Sequence, residues 1–208
     1  MAGKPQNRTT RRPGKANRWD DHYARKARSQ NYPARSVFKL QEIQKRWRIL
    51  RPGQRVLDLG CAPGSWLKFA AETTGTAGRV VGVDLTPISA ALPAGVEVHT
   101  QDVFELVAKP EALLGAGFDV VLSDMAPATT GNRGVDAARS SELCRAALAI
   151  GRKVLRPGGA FVCKIFQGDD FKDFSAAVAE AFGEVRIFKP QSSRKASKEI
   201  YIIGLGKN

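Results

Sequence analysis

Two apolar runs in this chain carry charged side chains where strands should end. Leu122-Ser123-Asp124-Met125-Ala126-Pro127 leaves a carboxylate at the end of one run, and Phe161-Val162-Cys163-Lys164-Ile165 sets a lysine in another. A carboxylate in apolar surroundings is costly unless a cation or a hydroxyl satisfies it. Read as neighbouring strands, the two segments bring Asp124 and Lys164 to one sheet edge as an ion pair; taken alone, Lys164 could equally snorkel to solvent. A third run, Arg55-Val56-Leu57-Asp58-Leu59, enters the turn Gly60-Cys61-Ala62-Pro63-Gly64 and continues into Ser65-Trp66. Gly60 and Gly64 allow backbone to approach a ligand closely, with Trp66 an aromatic at the mouth. Their Gly-x-x-x-Gly spacing departs from the Gly-x-Gly-x-x-Gly of dinucleotide sites. A nucleoside without phosphates fits the turn better, and S-adenosylmethionine is the usual one.

These groups need strands to hold them, and the pattern predicts strands at 56–59, 79–83, 96–100, 120–123, 160–165, 185–188 and 200–205. Helices are expected from the N-cap Ser36 to a stop at Arg51-Pro52-Gly53, and over 65–71, 136–155 and 171–182. Alternating strands and helices imply an α/β fold, a doubly wound, mostly parallel seven-stranded sheet with ligands at the carboxyl ends of its strands. Strand ends then select further residues. Asp84 follows the second strand, where a carboxylate can accept hydrogen bonds from both ribose hydroxyls of a nucleoside. A turn former or helix cap is the plainer reading of such an Asp. Asp102, after the third strand, is placed to accept from an adenine amino group or to cap the next segment.

A length of 208 residues with 43% apolar and 25% charged content suits one well-cored domain. It divides into a basic, partly disordered arm over 1–35 that binds RNA and a domain over 36–208. Residues 1–55 hold 16 Lys and Arg against Asp20, Asp21 and Glu42, so the whole formal excess of +13 lies in the first quarter. Trp19, Tyr23, Tyr32 and Trp47 are interleaved with these bases. That mixture suits a surface that neutralises phosphates and stacks on nucleobases, against the alternative of a solvated tail. No apolar run approaches the ~20 residues of a membrane span, and no secretory leader is visible. A cytoplasmic protein is expected, because Trp19-Asp20-Asp21 spoils the likeness of the Arg-rich start to a transit peptide. Three irregularly spaced cysteines, Cys61, Cys144 and Cys163, and two histidines, His22 and His99, argue against a disulfide framework and a metal site.

Together these residues resemble the FtsJ/RrmJ family of ribose 2'-O-methyltransferases, whose bacterial members modify large-subunit ribosomal RNA; the likeness runs from Trp19 to Leu205. The resemblance implies the Rossmann-like class I methyltransferase fold, with S-adenosyl-L-methionine held by Gly60, Gly64, Trp66, Asp84, Asp102 and Asp124. It implies a catalytic Lys-Asp-Lys-Glu set as well. This consists of Lys39 in Arg35-Ser36-Val37-Phe38-Lys39-Leu40, Asp124, Lys164, and Glu199 in Ser197-Lys198-Glu199-Ile200-Tyr201. Ser65 stands where many members have a second glycine, and its small size should spare the turn. A monomer without a metal, methylating a uridine ribose in the large ribosomal subunit and aiding its assembly, completes the expectation.

A ribose 2'-hydroxyl is a poor nucleophile at neutral pH, so methyl transfer needs its proton removed and its oxygen held in line. Lysine removes a proton only when neutral, and its ordinary pKa is about 10.4. Burial and a nearby cation favour the neutral form, whereas carboxylates oppose it. Lys164 is expected to be the base, with Lys39 supporting it and holding substrate. Asp124 orients Lys164, and Glu199 positions Lys39 or the ribose. Asp124-Met125-Ala126-Pro127 lacks the double proline of amino methylation. Cys163 should face away from Lys164 and Cys144 lies in a helix, so neither suits a cytosine-methylating nucleophile, and His99 reads as a packed strand residue. A transfer RNA methyltransferase, a non-catalytic ribosome-assembly factor and a nicotinamide oxidoreductase remain as alternatives.

Overall fold

Seven strands form one sheet in the computed structural model, which describes residues 18–194 and 196–208. The expectations for residues 1–17 and for the side chains of Trp19, Asp20 and Asp21 lie outside the described residues. The strands are β1 (Arg55–Leu59), β2 (Arg79–Asp84), β3 (Val96–Thr100), β4 (Phe118–Ser123), β5 (Leu155–Phe166), β6 (Phe182–Phe188) and β7 (Glu199–Lys207). Their order is β3-β2-β1-β4-β5-β7-β6. The first five run parallel, and β7 lies antiparallel between β5 and β6. β1, β2 and β4 are near-continuous apolar runs because helices cover both of their faces. Since β2 lies on one side of β1 and β4 on the other, the order reverses there, and a crevice opens above the carboxyl ends of those strands.

The helices are α1 (Arg18–Ser29), α2 (Val37–Trp47), α3 (Ser65–Thr74), α4 (Val103–Leu106), α5 (Pro110–Leu114), α6 (Arg133–Val154) and α7 (Phe171–Ala181). Alternate strand residues feed two cores. Leu57, Leu59, Cys163 and Ile165 pack with α6 and α7, whereas Val56, Val162 and Tyr201 pack with α2 and α3.

The described part of the basic arm is helical and docked. Ala27 and Tyr32 are buried against Val37 and Phe38, Tyr23 packs on Phe38 at 5.3 Å between ring centres, and the Tyr32 hydroxyl bonds Glu72. Packing is therefore continuous across Ser36. The apolar stripe of Tyr23 and Ala27 is one residue wide, so the surrounding bases mask its helical period. Trp47 also packs, edge-on to Phe188 at 5.1 Å, with the Arg46 guanidinium 5.0 Å over its ring.

Two boundaries differ from the sequence reading, at the end of α2 and after α6, while the N-cap position of α2 agrees with it. α2 ends at Trp47, where Arg48 adopts a left-handed conformation and the Gln44 side chain folds back to bond Leu50 N and O, well before Arg51-Pro52-Gly53. Ser36 occupies the N-cap of α2 without a side-chain capping bond. Pro157-Gly158-Gly159 lies inside β5, beside a shift in its register with β4, so it bends a strand rather than ending a helix.

Candidate active site

Strand register builds the site. Ser123 pairs with Cys163 across β4 and β5, and Lys164 pairs with Tyr201 across β5 and β7. Cross-strand partners share a face, so Asp124, Lys164 and Tyr201 stand in a row at the carboxyl edge, with Cys163 on the opposite face. Lys164 Nζ lies 3.0 Å from Asp124 Oδ1 and also donates to the Asp124 carbonyl. The Tyr201 hydroxyl donates to the same Oδ1 at 2.6 Å. α2 lays Lys39 over this row, its Nζ 2.9 Å from Glu199 Oε1 and 3.9 Å from Asp124 Oδ1. The fold thus gathers all four residues expected of the catalytic set, each side chain only 6% to 15% exposed.

Burial would raise the Asp124 carboxyl, but the Lys164 and Lys39 ammonium groups and the Tyr201 hydroxyl outweigh it and hold the group below its usual range. Burial together with the Asp124 and Glu199 charges pushes the Tyr201 phenol well above its usual range, so it stays protonated as a donor to Asp124. Sequence reasoning missed Tyr201. Its position two residues after Glu199 on a strand, hence on the same face, was the available signal.

Beyond Asp124 opens a cavity of about 410 Å3, whose walls include Gly60, Ala62, Asp84, Asp102, Asp124 and Met125. Asp84 accepts from Ala62 N at 2.9 Å and from Thr86 N at 2.8 Å, tying the glycine turn to the end of β2. Asp102 caps α4, accepting from Phe104 N at 2.9 Å. Turn-forming and capping roles therefore coexist with exposure to the cavity, because each carboxylate oxygen has a second lone pair.

Gly64 and Trp66 do not line this cavity. Gly64 takes a φ of +103° to start α3, and Trp66 is buried behind the turn. The indole Nε1 donates to Ser36 O at 2.9 Å, and the ring lies 6.0 Å from that of Tyr201. The first turn of α3 directs the indole inward beneath α2, so the side chain supports the element carrying Lys39 instead of standing at the mouth. Gly60 has a φ of +78°, and a Cβ there would lie 2.3 Å from Met125 Cγ, so its bareness admits the β4 loop as well as a ligand.

Asp58 was passed over in the sequence. It is fully buried on β1, and neither carboxylate oxygen has a partner among the described residues. Burial, followed by the Asp124 and Asp84 charges, pushes its pKa well above the usual carboxylate range. Burial and the charges of Asp58 and Asp84 likewise push the Cys61 thiol up. A charged residue inside the apolar run 56–59 was the signal. The other cysteines face the α6 side: Cys144 Sγ donates to Lys164 O at 3.0 Å and Cys163 is fully buried. His99 sits beside Glu97 on β3, away from the row. Among the described residues no three His, Cys, Asp or Glu side chains cluster as metal ligands, and no helix is long and apolar enough to cross a membrane.

A parallel sheet with one antiparallel strand inserted next to its edge, and a cavity where the strand order reverses, defines the Rossmann-like fold of methyltransferases. Solved structures share it. A Plasmodium falciparum chain provisionally named a ribosomal RNA methyltransferase superposes with a TM-score of 0.72 at 24% identity, over 85% of this chain and 98% of that one. Human methyltransferase-like protein 13, solved in complex with SAH, gives 0.55 at 18% identity, over 74% and 72%. The FtsJ-like methyltransferase family matches residues 32–207. A Desulforapulum autotrophicum protein named ribosomal RNA large subunit methyltransferase E is 58% identical over 201 residues, 97% of this chain and 98% of that one. The chain belongs to the FtsJ-like methyltransferase family, and it is a methyltransferase.

Proposed function

We propose that this chain methylates a ribose 2'-hydroxyl, that of a uridine, in large-subunit ribosomal RNA, using S-adenosylmethionine. It would act as a cytoplasmic monomer on the large ribosomal subunit and so aid its assembly. The observation that carries the reading is the buried Lys39-Asp124-Lys164-Glu199 cluster abutting a carboxylate-walled cavity. A protein that only bound RNA would have no use for two ammonium groups and two carboxylates withdrawn from water, because their desolvation costs stability.

The residues present fit the cofactor. S-adenosylmethionine offers a sulfonium, an ammonium, a ribose diol and an adenine amino group, all of them cations or donors. Asp84, Asp102 and Asp124 face the cavity as acceptors, and Asp58, fully buried outside its walls, has no partner among the described residues. When bound, the cofactor would supply an electrophilic methyl group.

Once its ammonium has released a proton to solvent, neutral Lys164 takes the hydroxyl proton onto Nζ as the ribose oxygen accepts the methyl group. Its amine is held to one direction by Asp124 Oδ1 and the Asp124 carbonyl, so the lone pair faces the acceptor rather than rotating freely. Tyr201 fixes that carboxylate in turn. Lys39, braced by Glu199, holds the ribose from the other side. Cys144 and Cys163 lie on the α6 side, away from the row, which favours oxygen over base carbon as the acceptor. The basic first quarter of the chain, ending in α2 and the start of β1, supplies the phosphate-binding charge.

The test incubates the protein with labelled cofactor and, separately, ribosomal RNA, large subunits and transfer RNA, then identifies the labelled nucleoside. Label in 2'-O-methyluridine from large-subunit RNA is expected. Label confined to transfer RNA, or to a base, overturns the proposal.

A further inference from the structure

The segment 189–198 joining β6 to β7 reads Lys-Pro-Gln-Ser-Ser-Arg-Lys-Ala-Ser-Lys. Two of its hydroxyls, Ser192 Oγ and Ser193 Oγ, are buried without a partner among the described residues, so they do not hold the loop. α2 does. Glu42 Oε2 accepts from Gln191 N at 2.6 Å and Oε1 from Ser192 N at 2.9 Å, while Arg35 donates to Ser192 O at 3.4 Å. This clamp closes a second cavity of about 210 Å3 lined by Arg35, Ser36, Lys39, Arg194, Ser197 and Glu199. The two cavities share no wall residue. One reaches Asp124, the other Lys39, and those side chains lie 3.9 Å apart.

The walls of the second cavity bring together the Arg35 and Arg194 guanidinium groups and the Lys39 ammonium group, which pairs with Glu199. Its size and its two guanidinium groups suit a single tetrahedral anion, which an arginine fork matches in shape as well as charge. In an RNA strand the group bonded next to a 2'-hydroxyl carbon is a phosphodiester. We propose that this cavity seats the phosphodiester beside the ribose to be methylated, and that Glu42 is the positioning residue that sets the seat by clamping loop 189–198. This rests on the RNA reading above.

The test measures binding of a single-stranded RNA oligonucleotide across a salt series, and methyl transfer to ribosomal RNA. It compares the wild type with Arg35→Ala, Arg194→Ala, Arg194→Lys, Glu42→Gln and Lys172→Ala. Loss of one phosphate contact lowers the steepness of log K against log salt by about 0.7. Both arginine-to-alanine variants should show that drop and a KM for RNA raised about tenfold, with unchanged affinity for S-adenosylmethionine. Arg194→Lys keeps the charge without the fork and should fall between. Glu42→Gln loses one of two loop anchors and should raise KM more than it lowers kcat; a merely structural Glu42 would move the melting temperature alone. Lys172→Ala removes an exposed cation of α7, across the sheet from α2, and should change nothing. Wild-type slopes and KM values in both arginine variants overturn the seat, while methyl transfer in the same samples keeps the functional reading. Lowered slopes without methyl transfer by the wild type support the seat and sink that reading.

Discussion

On the acceptor side of Asp124 the buried charges pair with one another. Lys164 meets Asp124, Lys39 meets Glu199, and Tyr201 closes onto the shared carboxylate. On the side of the cavity walled by Asp84 and Asp102, Asp58 is buried with no partner among the described residues, and Asp84 and Asp102 take backbone N–H groups. The paired half is complete before any ligand arrives, so its residues should govern rate through fixed geometry. The unpaired half stores an electrostatic cost that a cation would relieve, so its residues should exchange stability against binding.

The largest effect should break the paired half outright. Lys164→Ala should lower methyl transfer by at least about a thousandfold, the upper part of the range for a general base. Calorimetry should still find near-normal cofactor affinity, and retained turnover would remove Lys164 from the mechanism. Tyr201→Phe leaves the ring in the core but frees one lone pair of Asp124. A hydrogen bond to a charged group is worth about 1.5–3 kcal/mol, so kcat should fall about tenfold or more with KM little changed. An unchanged kcat would mean that the lysines alone orient Asp124.

Asp58→Asn probes the unpaired half, with the opposite sign for stability. Because the folded pKa of Asp58 is raised, the folded state keeps a proton that the unfolded chain has lost, from about pH 4 upward. The wild type therefore loses stability as pH rises from there through the folded pKa. The variant escapes that loss, so its melting temperature should exceed the wild type's by several degrees at pH 7–8, with the gap closing near pH 4. Cofactor affinity should fall in the same variant. A neutral-pH melting temperature below the wild type's would show that the carboxylate is satisfied after all.

Trp66→Phe should have the smallest effect. Losing the bond to Ser36 O costs about 1 kcal/mol, or about 2–4 °C in a chain of this size. Cofactor affinity should hold, since the indole lies behind the turn. A large loss of affinity with little loss of stability would instead return Trp66 to the ligand.

How much of this was legible depends on the range over which each signal acts. The runs in β1, β2, β4 and β5 were readable because burial on both faces demands apolar residues locally. Asp124 and Lys164 stood out because each puts charge into such a run. Tyr201 did not, since an aromatic in an apolar strand reads as core; its spacing from Glu199 gave its face, and its register opposite Lys164 brings its hydroxyl to Asp124. Glu42 looked like an isolated acid in a basic helix until the loop after β6 folded onto it. Trp66 followed the same logic in reverse. Its place after the glycine turn was plain, but the direction of the indole depended on where α2 lies.

By itself, then, the sequence determined the strands, the glycine turn and the confinement of the charge of +13 to the first quarter, and its family resemblance singled out Lys39, Asp124, Lys164 and Glu199, which the fold brings together. Those depend on composition over a few neighbouring residues or on short local motifs. Only the tertiary structure decided which carboxylates are paired and which is left alone. Pairing depends on strand register and on the docking of α2 across the sheet, which give Asp124 its lysines and leave Asp58, whose pKa the Asp124 charge helps raise, without a partner among the described residues.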